Sequence, residues 1–368
     1  MKNIGFFQTE YILAFAIAFI VAFFTTPLVR KIAFKIGAVD VPKDERRMHD
    51  KPLARLGGLA IFIGFIVSIF YNLIVSYIDT GEITQDLRFQ GLLIGSFIII
   101  SIGIIDDTRP LKPWIKLAFQ ILAAFVVVFS GIMIEEITNP FSPFGFTELG
   151  FLSIPLTVIW IVGITNAINL IDGLDGLAAG VSSIAMLALL FISIFAQQFG
   201  VVYIIAALAG GTLGFLPHNF NPAKIFMGDT GSNFLGFALA SVSVMGMMKS
   251  YATIAIAVPV LVLALPIFDT AFAILRRLLN GKPIMQADRG HLHHKLIDMG
   301  FSQKQTVIVL YIISGFLGIC AIELATKGVF RAMILLFSVA VFVIAGAKYM
   351  EDMNYDKEKD KSDKNSVK

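Results

Sequence analysis

The 368-residue chain is 57% hydrophobic and 15% charged, with a mean hydropathy of +0.82. A soluble domain is about 45–50% apolar, so this composition excludes a soluble globular protein. A net charge of +3 is too small to argue for a nucleic-acid partner. The single cysteine, Cys320, cannot close an intrachain disulfide and reads as a packing residue within an apolar run.

Apolar runs of about 20 residues, the length that crosses a bilayer, recur along the chain. About eleven transmembrane helices are predicted, over 9–29, 56–78, 90–105, 114–131, 150–168, 176–197, 200–216, 232–248, 251–275, 306–324 and 329–347. The expected fold is all-α, a polytopic integral membrane protein. Residues 1–348 read as one membrane-embedded domain, and 349–368, a run of Asp, Glu and Lys, as a charged, disordered cytoplasmic tail. Only Lys2 precedes the first apolar run, the reverse of a cleaved signal peptide. The first connection, 30–55, carries eight Lys and Arg; setting it in the cytoplasm leaves only Lys2, Arg88, Lys249, Lys327 and Arg331 outside. The positive-inside rule then predicts the N-terminus outside and the C-terminus cytoplasmic.

Four polar motifs interrupt the apolar pattern, all at the predicted cytoplasmic ends. Asp106-Asp107 closes the third span, where both carboxylates face the negative end of the helix dipole and each other. A divalent cation would compensate, as would Arg109, Lys112 or Lys116; the plainer reading is a polar stop to the span. Magnesium takes one or two carboxylates together with substrate phosphates. Asn169-Leu-Ile-Asp172-Gly-Leu-Asp175-Gly176 sets a carboxamide and two carboxylates in a glycine-rich connection. It resembles the start of a calcium loop but lacks the closing Glu; an ordinary turn is the alternative.

Met227-Gly-Asp229-Thr-Gly-Ser232 leads into the eighth span, after Pro217-His-Asn-Phe-Asn-Pro222. Asp229 is a candidate metal ligand, and Asn219 a candidate hydrogen-bond partner for a base or sugar; a capped helix start is the alternative. Glycines at three inside-facing helix starts, Gly57-Gly58, Gly173/Gly176 and Gly228/Gly231, predict backbone amides free to bind a pyrophosphate. Finally, Arg289, His291, His293 and His294 fall in a basic stretch, 276–304. With no cysteine in this stretch a zinc site is poorly supplied, and phosphate binding with proton transfer fits better; a basic loop on anionic headgroups is the alternative. Asp269, within the ninth span, is a functional candidate because an ionisable group there is expensive.

The joint motif set, in this order, resembles the polyprenyl-phosphate N-acetylhexosamine-1-phosphate transferase superfamily over roughly residues 10–345. In the branch acting on phospho-MurNAc-pentapeptide, Thr-Pro-Thr-Met precedes the Gly-Gly and the three histidines are unbroken. Here Leu53-Ala54-Arg55-Leu56 precedes Gly57-Gly58, and Leu292 interrupts the histidines. Pro266-Ile-Phe-Asp269 and Asp288-Arg-Gly-His-Leu-His-His294 resemble instead the WecA/TagO branch, which uses UDP-GlcNAc.

That resemblance implies magnesium, with manganese as a substitute, a UDP-GlcNAc donor, undecaprenyl phosphate as acceptor, and a bacterial plasma-membrane location with the site facing the cytoplasm. The downstream product would be teichoic acid or another cell-surface polysaccharide. Asp229 and Asp107 would hold the metal; Asp106, Asp107, Asp172, His291, His293 and His294 would serve catalysis; and Asn169, Asp175, Asn219, Phe226, Arg55, Asp269 and Arg289 would bind substrate. A pentapeptide-donor transferase is the rival within the superfamily. From another class, a transporter or flippase of lipid-linked sugars would be expected to carry inverted repeats and midplane polar groups. A homodimer is compatible with the sequence.

Overall fold

The computed structural model describes residues 2–41, 51–80, 86–139, 146–247, 257–281 and 290–338. Arg289, the charged tail and the ends of the predicted ninth and eleventh spans therefore lie outside the described residues. The chain is all-α. Its helices are α1 (Lys2–Ile36), α2 (Gly57–Thr80), α3 (Leu87–Thr108), α4 (Pro113–Phe129), α5 (Ser153–Ile171), α6 (Leu177–Phe195), α7 (Phe199–Asn219), α8 (Gly228–Met247), α9 (Ala257–Val262), α10 (Ala264–Leu279), α11 (Leu292–Asp298), α12 (Gln303–Lys327) and α13 (Val329–Ser338). Two short hairpins join them: β1 (Val39–Asp40) with β2 (Leu53–Ala54), and β3 (Glu136–Thr138) with β4 (Phe146–Glu148).

Local chemistry sets the helix ends. Asp86 caps α3 by accepting from the Arg88 amide at 3.0 Å, and Pro110 stops it two residues past Thr108. Pro113 opens α4. Ser302 and Gln305 form a reciprocal capping box at the head of α12, and Gly328 ends it at φ +97°.

Among the described residues seven helices are long and apolar enough to cross a membrane: Thr9–Ile36, Gly57–Ile78, Leu87–Thr108, Gly150–Ile171, Leu177–Phe195, Phe199–Asn219 and Gln303–Lys327. The other predicted spans differ for physical reasons. α4 is short, at 17 residues. The predicted ninth span breaks near Leu263 into α9 and α10. α8 is long enough but rich in Gly, Ser and Thr. It packs against α2, α3, α5 and α6 and is buried almost throughout, so it meets protein rather than lipid and has no need of an apolar exterior.

Small residues bring the helices close. A side chain at Gly210 or Gly214 of α7 would collide with the carbonyl oxygens of Phe15 or Phe19 on α1, the close approach that drives helix association in lipid. Large apolar side chains such as Ile12, Ile20 and Phe24 face outward from α1. Cys320 is fully buried in α12, as its apolar context predicts.

Candidate active site

One end of the bundle gathers the four motifs. The connection before α2, the C-terminal ends of α3 and α5, and the N-terminal end of α8 meet there. They surround a cavity of about 370 Å³ lined by Asp40, Arg55, Asn169, Asp172, Asp175, Asn219, Phe226, Asp229, His294 and Gln303 among others. Sequence reasoning had not singled out Asp40 or Gln303, which carry no motif.

At the cavity edge Lys116 of α4 lies between two carboxylates, with Nζ 2.7 Å from Asp229 and 3.1 Å from Asp106. The Arg55 guanidinium approaches both Asp229 and Asp107 to 3.8 Å. Burial would raise the Asp229 pKa, but Asp106, Lys116 and Arg55 together hold it below the usual carboxylate value. Asp229 is therefore anionic and faces the cavity. The sequence marks Lys116 only as a counter-charge; the packing of α4 against α8, which no linear motif encodes, brings it to Asp229.

Asp107 differs from its expected role as a metal ligand. Its Oδ1 accepts from the Asp229 amide at 2.9 Å, and its Oδ2 accepts from the Thr230 amide at 3.0 Å and the Thr230 hydroxyl at 2.6 Å. The side chain is sealed from solvent. It caps α8 from another helix, and a metal would have to share the carboxylate with that cap. Asp106 is tied by the Leu111 amide at 2.7 Å as well as by Lys116.

At the glycine-flanked helix starts several of the amides are already engaged. The amides of Gly57 and Gly58 donate to the carbonyls of Phe226 and Met227, each at 2.9 Å, and those at the head of α8 go to Asp107. The Gly176 amide donates to Asn219 at 3.1 Å. What the glycines provide is proximity: a side chain at Gly58 would overlap the backbone of Gly231, where α2 crosses α8. Gly228, at φ +72°, lies against the Arg55 carbonyl and Asp107 with no room for a side chain.

Asn219 is likewise turned inward. Its oxygen accepts from Gly176 and its nitrogen donates to the Ile225 carbonyl at 3.0 Å, so both ends of the carboxamide hold the loop rather than wait for a base. Asp175 does similar work, accepting from Asn221 and the Ala223 amide, both at 3.0 Å. Asn221 also donates to Gln303 at 2.8 Å, and the Tyr311 hydroxyl donates to the Gly176 carbonyl, which docks α12 on this turn. Asn169 donates to Ser232 at 2.8 Å.

Asp172 stands apart. It opens into the cavity but is otherwise crowded by protein, and no hydrogen-bond donor among the described residues reaches its carboxylate. Burial, reinforced by the nearby charge of Asp229 and opposed by Arg55, pushes its pKa up to about 8. A carboxyl in this state exchanges its proton near physiological pH, as a general acid or base must.

The histidines flank the cavity. Asp269 of α10 binds His291 Nδ1 at 2.8 Å and accepts the Leu292 amide at 2.7 Å. Its place is thus beneath the histidine loop, orienting it, rather than against a substrate. His293 is buried beside Gly173, and burial with the neighbouring His294 lowers its pKa to about 4. His294 alone of the three lines the cavity.

Among the described residues no three His, Cys, Asp or Glu side chains converge into a ready-made metal cage. Asp229 and Asp106 nonetheless offer hard oxygen donors next to an open cavity. That donor set fits an ion such as magnesium, which draws its remaining ligands from water and phosphate.

The sequence model of glycosyl transferase family 4 matches residues 89–247. A probable undecaprenyl-phosphate N-acetylglucosaminyl 1-phosphate transferase of Bacillus subtilis (strain 168) is 42% identical over 338 residues, covering 91% of each chain. A decaprenyl-phosphate N-acetylglucosaminephosphotransferase of Mycobacterium tuberculosis (strain ATCC 25618 / H37Rv) is 35% identical over 84% of this chain and 80% of its own. A phospho-N-acetylmuramoyl-pentapeptide-transferase of Streptococcus agalactiae is 32% identical over 63% of this chain and 72% of its own.

Proposed function

The chain belongs to glycosyl transferase family 4, and on that premise we propose that it transfers GlcNAc-1-phosphate from UDP-GlcNAc to undecaprenyl phosphate. The products are undecaprenyl-pyrophosphoryl-GlcNAc and UMP. The observation that carries the reading is the polar cavity at which the four motifs meet, edged by the Lys116–Asp229 pair. A lipid acceptor needs a site at the membrane surface, and a sugar-nucleotide donor needs that surface to face the cytoplasm.

In the proposed reaction an oxygen of the lipid phosphate attacks the β-phosphorus of the donor, and UMP departs with the electrons of the P–O–P bond. Magnesium, held by Asp229 with Asp106 close by, would neutralise phosphate charge in the transition state, from which phosphoryl transfer gains much of its rate. Arg55 and Lys116 supply further positive charge at the same edge. Asp172, its pKa raised to about 8 at the cavity wall, would exchange its proton with a phosphate oxygen. His294, which lines the cavity, would meet the donor phosphates, while His291 is fixed by Asp269. Phe226, part-exposed in the cavity wall, offers a face for the uracil ring.

The test uses purified protein with undecaprenyl phosphate, magnesium, and either UDP-GlcNAc or UDP-MurNAc-pentapeptide. UMP release with UDP-GlcNAc and essentially none with the pentapeptide donor is expected. Release from the pentapeptide donor alone would overturn the donor assignment, and release from neither in folded protein would return the transporter reading.

A further inference from the structure

A chain of three carboxamides runs through the helix bundle beneath the cavity. Asn166 Nδ2 on α5 donates to Gln120 Oε1 on α4 at 2.7 Å. Gln120 Nε2 donates to Asn233 Oδ1 on α8 at 3.0 Å, and Asn233 Nδ2 donates to the Asp229 carbonyl at 2.8 Å. Gln120 and Asn233 are each 4% exposed. These three bonds point the same way, from α5 through α4 into the first turn of α8, so each polarises the next, while Gln120 Nε2 also makes a longer contact back to Asn166 Oδ1 at 3.5 Å.

The register of this chain gives it meaning. Lys116 and Gln120 are one turn apart on α4; Asp229 and Asn233 are one turn apart on α8. The two pairs meet rung on rung: Lys116 on Asp229 at 2.7 Å and Gln120 on Asn233 at 3.0 Å. Buried carboxamides are costly between helices in a membrane, and apolar side chains of the same size would fill the space without that cost. A role in packing alone leaves the choice of three amides unexplained, whereas a role in setting register does not.

We propose that Gln120, Asn166 and Asn233 are positioning residues: their hydrogen-bonded chain locks α4 against α8 so that the Asp229 carboxylate is held against Lys116 at the cavity edge. The consequence for metal binding rests on the functional reading above; the geometric claim does not.

The test compares full-length wild type with Gln120→Met, Asn233→Leu and the double variant. The first readout needs neither metal nor substrate: the rate of reductive methylation of Lys116, followed by peptide mass spectrometry. Methylation of Lys116 is expected to speed up about fivefold or more in each single variant, with the unfolding midpoint lowered by no more than about 3 °C. The second readout is magnesium titration. The concentration giving half-maximal activity should rise about tenfold while KM for UDP-GlcNAc holds, and the double variant should be no worse than either single one.

Unchanged Lys116 reactivity, a rise in KM for UDP-GlcNAc as large as that in the magnesium requirement, or unfolding of both single variants would overturn the proposal and leave the amides as packing. A wild type without transferase activity, but with Lys116 reactivity that still depends on the carboxamides, would remove the functional reading and leave the register lock standing.

Discussion

Asp107 and Thr230 are joined twice: one carboxylate oxygen on α3 accepts both the backbone amide and the hydroxyl of Thr230 at the head of α8, at 3.0 and 2.6 Å. Its other oxygen takes the Asp229 amide. A helix start is thus capped by a carboxylate from a neighbouring helix, and the residue so fixed is Asp229. The partial negative charge on its oxygens also suits the positive end of the α8 dipole.

The cap can be taken apart stepwise. Thr230→Ser keeps both bonds and should leave stability and activity near wild type. Thr230→Val removes the hydroxyl bond from a buried carboxylate and should cost about 1–2 kcal/mol. Asp107→Asn replaces one accepting oxygen by an NH2 donor that faces a donor at the head of α8, and should cost about 2–3 kcal/mol, with activity falling further than stability because Asp229 shifts. Thermal unfolding in detergent beside a UMP-release assay gives both quantities. Equal behaviour of the serine and valine variants would remove the hydroxyl from the account.

Much of this site was legible in the sequence because its residues fall in short motifs at helix ends. Hydropathy alone brings Asp106, Asp172, Asp229 and the histidines to one end of the bundle. What sequence could not supply is which groups are already engaged. Asn219 reads as a ligand and is a loop brace; Asp107 reads as a metal ligand and is a cap; the glycines read as anion sites and are points of helix contact. Those reversals depend on long-range partners such as Gly176, Thr230 and Gly231. Gln120 and Asn233 lie within stretches that read as spans, where nothing local marks them, and the sequence marks Lys116 only as a counter-charge to Asp106-Asp107. The count of spans was least legible at α8, whose environment is protein rather than lipid.

Helix direction gives a topological prediction. α4 begins at the site end with exposed Lys112 and leads to exposed Glu135 at the other. With the site facing the cytoplasm, Glu135→Cys should react with an impermeant thiol reagent on intact cells and Lys112→Cys only after permeabilisation. Buried Cys320 gives little background. The reverse labelling pattern would place the site outside.

His293 predicts a dependence of stability on pH. Burial and His294 lower its folded pKa to about 4, against an ordinary value of 6.5. Between those values the unfolded chain binds the proton and the folded one does not, so stability falls as pH drops from about 6.5 toward 4. The full effect of such a shift is on the order of 3 kcal/mol. Other groups titrate in this window, so the measurement is a difference: unfolding midpoints of wild type and His293→Asn from pH 7 to 4. The wild type should lose stability more steeply. Parallel curves would show that His293 is not held neutral by the fold.

Asp172 predicts a proton count. Burial first, and Asp229 second, push its pKa up to about 8, so at pH 7 the resting site holds that proton. A divalent cation beside Asp229 favours the ionised form and would draw the pKa down. Magnesium binding at pH 7 should therefore release close to one proton. At pH 9, above the resting value, release should be small because the group is already ionised. Calorimetry in buffers of different ionisation enthalpy reads the count directly. Asp172→Asn should abolish the release at pH 7 while leaving weaker magnesium binding, since Asp229 remains. Release of the same size in Asp172→Asn would assign the proton to another group and take from Asp172 its place in the proposed transfer.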